Sequence, residues 1–143
     1  MLIHQGRRLY LQHQFTRANF HGHLLDPAID IDLDASSPDV RVADVACGTG
    51  AWTLDLAEHV GTTTSIEGLD ITLKEVPAQA WWPSNASFKQ FDLLAELLPE
   101  YHQRYDIINI QYVVVFVLDN EFSSVLKKLT DMLSTLVYGL RPV

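Results

Sequence analysis

Three aspartates stand where apolar runs end, and their positions suggest a ligand site. Asp44 follows "VRVA", Asp70 follows "IEGL" and Asp92 follows "FKQF". Between the first two lies "ACGTG", with Gly48 and Gly50 where a β-branched run gives way to an amphipathic one. Glycine accepts positive φ and lets a ligand edge approach the backbone without a Cβ in the way. A helix beginning there offers unpaired N–H groups. A carboxylate at the first tip suits a cationic or amine group. An acid about 20 residues past a glycine turn suits the paired hydroxyls of a ribose, and an acceptor at Asp92 suits the exocyclic amine of an adenine. The simpler alternatives are a tight turn for the glycines and helix N-caps for Asp70 and Asp92. A P-loop is excluded, because no Gly-Lys-Ser/Thr follows. The dinucleotide fingerprint is imperfect, since Thr53 stands where its third glycine belongs.

These acids need a scaffold, and the chain predicts one by alternation. Strands are expected at 40–46, 65–71, 86–93 and within 105–117. Helices are expected at 51–60, where Trp52, Leu54, Leu56, Ala57 and Val60 form one face, and at 120–140, where apolar residues recur at i, i+3, i+4 and i+7. Residues 72–81 hold at most a short helix, because Pro77 interrupts them, and 94–102 a short helix or turn. Alternating strands and helices build a parallel sheet with right-handed crossovers. In such a sheet the strand tips share one edge, so the three acids converge. Residues 2–25 are loosely helical, with Gly22 near the helix end, and the Asp-, Ser- and Pro-rich stretch 26–39 reads as a connector. The expected organisation is an N-terminal helical arm and connector over 1–38 and a ligand-binding α/β domain over 39–143.

Composition narrows the partners. Ten Lys and Arg against 18 Asp and Glu give a formal charge of −8, which repels phosphate backbones and anionic membranes. One cysteine, Cys47, excludes an intrachain disulfide and fits a reducing compartment. No run approaches the roughly 18 apolar residues of a spanning helix, so a soluble cytoplasmic protein is expected, without nucleic acid or membrane as partner. "HGH" at 21–23 lacks further ligands at metal-binding spacing, and no metal site is expected. His13 and His21 become candidate bases if the N-terminal arm folds over the site. Trp81 and Trp82 read as a core-capping pair, with an aromatic pocket wall as the other reading.

"DVACGTG", "GLDIT" and "FKQFDLL" resemble the first three motifs of the class I S-adenosylmethionine-dependent methyltransferases, with Ala46 where many members have glycine. "YDIINIQYVVVFV" is similar to their segment passing the reacting centre. "RLYLQHQF", "WWPSNASF" and "YDIINIQ" look more narrowly like fungal small-molecule methyltransferases of secondary metabolism. The resemblance implies a Rossmann-like sheet in the order 3-2-1-4, with S-adenosylmethionine or S-adenosylhomocysteine as cofactor and a small molecule as acceptor. It implies that Asp44, Ala46, Gly48 and Gly50 line the methionine end, Asp70 and Ile71 the ribose, and Asp92 and Leu93 the adenine. Gln111 would sit beside the methionine part, at a position where relatives often carry arginine. The family continues past "YGLRPV" through three more strands, so the resemblance implies a shortened fold with strand four open at the edge. An open edge invites pairing, and a homodimer or higher oligomer through strand four or the helix after it is expected. The resemblance also admits a non-methylating relative, either a regulatory partner of a longer methyltransferase or a scaffold reused for a reaction such as cyclisation.

Overall fold

The computed structural model describes residues 2–19, 22–25, 39–111 and 120–134. The connector 26–38, His21, the apolar run 112–118 and the chain from 135 onward lie outside the described residues. Helix α1 (Leu2–Asn19) comes first. Then follow β1 (Arg41–Val45), α2 (Ala51–His59), β2 (Ser65–Asp70), β3 (Ala86–Gln90), β4 (Ile107–Ile110) and α3 (Phe122–Met132). All strand pairs are parallel, as the alternation predicts, and their order β3-β2-β1-β4 is the one the resemblance implies.

The sheet separates two cores because side chains alternate across it. Val42, Ile66 and Ile107 lie side by side in register and pack with Trp52, Leu56 and Ala57 of α2 and with Leu25. On the other face Ala43, Val45, Leu69 and Ile108 pack with Val125, Leu129 and Met132 of α3 and with Phe91, Tyr101 and Tyr105. Complete burial of such side chains stabilises by about 1.5–3 kcal/mol each. One carboxylate is built into the second layer. Burial pushes Glu67 up, but the Tyr105 hydroxyl at 2.6 Å, Lys89 at 3.0 Å and Arg104 at 3.3 Å outweigh it, and the group stays below its usual range.

Phe88 sets a steric condition on two glycines. Its ring lies over Gly50 and Gly68, so a Cβ at either position would fall within 2.6 Å of ring carbons. Gly50 also has φ +75°, a conformation that side chains disfavour.

Two expectations need correction, and a third holds. The helix expected over 120–140 ends at Met132, and Leu133 is extended. The reason is tertiary: the Gln103 N–H donates to the Asp131 carbonyl, those of Arg104 and Tyr105 donate to the Met132 carbonyl, and Leu133 bridges Tyr105. Carbonyls that would accept the next helical N–H groups are therefore already engaged. Between β2 and β3 the only helical turn is the 3-10 turn Gln79–Trp81, as the proline requires. The tryptophan pair separates. Trp82 stacks on Phe88 at 4.8 Å and donates to the Pro77 carbonyl, whereas Trp81 is 80% exposed. It caps no core, because the 3-10 turn rotates it outward.

Candidate functional site

A cavity of about 420 Å³ opens over the carboxyl ends of the strands, within the size range of small-molecule sites. β1 contributes Asp44, and the loop after it Ala46, Cys47, Gly48 and Thr49. The β2 loop contributes Asp70, Ile71, Thr72 and Glu75, and the β3 loop contributes Phe91 to Leu94. Gln111 enters from beyond β4, and Arg8, Leu9, Gln12 and His13 come from α1. The site residues read from the sequence thus meet in one place, with two exceptions. His21 lies outside the described residues. Gly50 does not line the cavity: it is buried at the start of α2 against Phe88, so its lack of a side chain serves packing instead of a ligand.

Each strand tip has its own local chemistry. Asp44 is buried, and its two oxygens accept from the Thr53 hydroxyl at 2.8 Å and the Asn109 amide at 2.9 Å. Burial pushes its pKa up to about 6, against the opposing pull of those two hydrogen bonds and of nearby His13. Gln111 extends the chain by donating to Asn109 at 3.4 Å. Thr53 and Asn109 escaped the sequence reading. Thr53 was visible as the residue replacing the third glycine, but nothing in the sequence pairs Asn109 with Asp44.

Asp70 is half-buried at the end of β2. Its Oδ2 accepts the Gly48 N–H at 2.8 Å and its Oδ1 the Thr72 N–H at 3.3 Å. This ties the glycine loop to the neighbouring strand and leaves lone pairs for further donors. No helix follows, so the N-cap alternative fails there. Gly48 has φ +59°, and a Cβ there would touch Leu9 of α1 at 3.4 Å. Ala46 also has φ +59°, which costs an alanine about 1 kcal/mol and accounts for the glycine of its counterparts. Asp92 is exposed two residues past β3 and accepts the Leu94 N–H at 2.9 Å, a turn instead of a helix cap. Lys128 of α3 donates to the carbonyls of Leu93 and Ala95 and so fixes this loop from behind. Burial, and then Asp44 and Asp70, push the Cys47 thiol far up, which removes it as a nucleophile.

His13 is buried and reaches Asp55 of α2, Nε2 to Oδ2 at 2.6 Å, beside Arg17 Nη1 at 3.1 Å. The N-terminal helix therefore does lie over the site.

The lining holds four carboxylates, Asp44, Asp70, Glu75 and Asp92, and a single guanidinium, Arg8. Polar side chains such as Gln12, Thr49, Thr72 and Gln111 share the rest of the wall with apolar ones. Such a pocket suits a ligand with positive charge, hydroxyls and an amine-bearing ring, and disfavours a polyphosphate. Among the described residues, no group of three or more His, Cys, Asp or Glu is arranged to hold a metal ion, and no helix is long and apolar enough to cross a membrane.

A family profile described as "Methyltransferase domain" matches residues 42–135. The N-methyltransferase tcpN of Claviceps purpurea is 24% identical over 110 residues, covering 77% of this chain and 38% of its own length. The chain spans less than half the length of the curated fungal relatives it matches. Among solved structures, a TehB-like SAM-dependent methyltransferase from Corynebacterium glutamicum superposes with a TM-score of 0.61 at 17% identity, covering 94% of this chain and 69% of that one. The cyclase SpnF superposes with a TM-score of 0.55 at 19% identity, over 75% and 40% of the two chains. Both are likenesses of fold.

Proposed function

Because the chain belongs to the class I S-adenosylmethionine-dependent methyltransferase family, we propose that its strand-tip pocket holds S-adenosylmethionine for methyl transfer to a small natural-product acceptor. The observation that supports this most is the meeting of Asp44, Asp70 and Asp92 in one cavity almost free of cations. When bound, S-adenosylmethionine would supply an electrophilic methyl group on a sulfonium.

The chain's own contribution is orientation. Asp70, already fixed by Gly48, has lone pairs left to accept two ribose hydroxyls. Asp92 and Leu93 would frame the adenine, and the exposed Ile71 would pack beside the ribose. Asp44, Ala46 and Gly48 line the methionine end. There the buried carboxylate suits an ammonium, and Gln111 stands beside it through Asn109. In this reading residues 39–143 form the cofactor domain and 1–38 an arm and connector, with α1 closing one side. Copies of the chain associate through β4, the edge strand of the described sheet, or through α3. Light scattering at micromolar concentration is expected to give a dimer or larger, and a monomeric mass overturns that part.

Calorimetry tests the main reading. S-adenosylmethionine and S-adenosylhomocysteine should both bind with dissociation constants below about 100 µM. Asp70→Ala should weaken binding by roughly 1–3 kcal/mol through loss of charged hydrogen bonds. Absence of binding overturns the proposal, and unchanged affinity in the variant removes Asp70 from the site. Binding without transfer across a metabolite panel would favour a non-methylating relative.

A further inference from the structure

Helix α1 supplies one wall of the pocket, yet most of the apolar side chains described on it do not pack on the body. Leu9 lines the cavity beside Gly48, whereas Tyr10, Leu11 and Phe15 are 52%, 66% and 69% exposed. The attachment is polar and concentrated on one carboxylate. Asp55 Oδ2 meets both His13 Nε2 at 2.6 Å and Arg17 Nη1 at 3.1 Å. Arg17 also donates through Nη2 to His59 at 3.4 Å, and His59 donates to the Asp55 carbonyl at 2.7 Å. One turn of α2 thus receives both side chains. Past the helix, the Gly22 N–H returns to the Arg17 carbonyl at 2.8 Å, and Trp52 donates to the Leu24 carbonyl at 3.0 Å.

Two features separate this cluster from an ordinary surface ion pair, which contributes little. His13 is 8% exposed and Asp55 24%, so water competes weakly for either. His13 is also itself part of the cavity lining. Bonds between ionised partners are shorter and stronger than neutral ones, and here one oxygen serves two donors from consecutive turns of the same helix.

We propose that Asp55 is a positioning residue for the pocket, an anchor that docks α1 as its wall and couples docking of that helix to ligand binding. The docking half stands on the contacts alone, while the coupling half rests on the cofactor reading above. A ligand touching both α1 and the strand tips binds the docked state better. By linkage, docking raises its affinity by the same factor that the ligand raises docking.

Hydrogen exchange read by mass spectrometry on the full chain tests this, with Asp55→Ala and Asp55→Asn beside the native protein. Lys127→Ala, which breaks the exposed Lys127–Asp131 pair, serves as control. Both Asp55 variants should exchange amides of α1 about tenfold faster while β1 and β2 keep their protection. S-adenosylhomocysteine should slow α1 exchange in the native chain and bind each variant about tenfold more weakly. Unchanged α1 exchange in both variants overturns the proposal. So does a rise in sheet exchange in step with α1 in both, which would make Asp55 a residue of the fold. If the native chain binds no S-adenosylhomocysteine, the cofactor reading fails, and α1 exchange without ligand still decides whether Asp55 docks the helix. Ligand binding that leaves α1 exchange unaltered overturns the coupling.

Discussion

The pocket has two kinds of wall. The strand-tip wall is continuous with the sheet: Asp44 is held by Thr53 and Asn109, and Asp70 holds Gly48. The helical wall is attached from outside the sheet through Asp55, with Tyr10, Leu11 and Phe15 turned outward. One wall therefore melts only when the domain melts, whereas the other can open by itself. Elements that must admit a ligand come from the low-stability end of a structure, and here that end is α1.

The largest expected effect breaks the distinction, because Trp52 lies under both walls. It is 5% exposed, lines the pocket and holds Leu24. Trp52→Ala should cost about 3–5 kcal/mol of global stability in denaturant titration. A loss confined to α1 exchange would place Trp52 with the attached wall only.

Next comes Asp44→Asn, with the opposite sign. In the folded chain Asp44 titrates near 6 instead of 3.8. Its contribution to stability is thus full below about pH 4 and is lost as pH rises through 6, to a total of about 3 kcal/mol. The variant cannot ionise, so it should unfold at higher temperature than the native protein at about pH 8, with the advantage gone at about pH 4. If the reading of the methionine end holds, cofactor affinity falls at the same time. Equal melting temperatures at both pH values would show that Asp44 is not destabilised by burial.

Smaller still is Lys128→Met, which keeps the packing of α3 and removes the ammonium behind the Asp92 loop. It should lower stability by about 1 kcal/mol and speed exchange at residues 93–97 only. Last, Phe15→Lys on the outer side of α1 should change stability by less than about 0.5 kcal/mol. A larger loss would mean that this face is covered.

The strand-tip wall was legible in the sequence because its signals are local. Apolar β-branched runs, glycines and the acids after them lie within a few residues of one another, and register then brings the tips together. The attached wall was half legible: a helix with Gly22 at its end could be read, and His13 was suspected. Asp55 could not be found, because on α2 it looks like any solvent-facing acid, and its partners lie 38 and 42 residues away. The same reason hid the end of α3 at Met132, which is fixed by N–H groups from residues 103–105. It also hid the partner of Gly50, whose neighbour Phe88 belongs to another strand.

That neighbour makes positions 68 and 88 exchange volume. Gly68 has no unusual backbone angle, so only the Phe88 ring and the Thr53 hydroxyl stand against a methyl group there. Tolerance at 68 is then a property of the residue at 88: alanine is refused beside phenylalanine and admitted beside a smaller aliphatic side chain. Gly50 has no such latitude, since its φ of +75° persists whatever lies opposite. Two glycines against one ring thus answer to different constraints, one conditional on its neighbour and one fixed by the backbone.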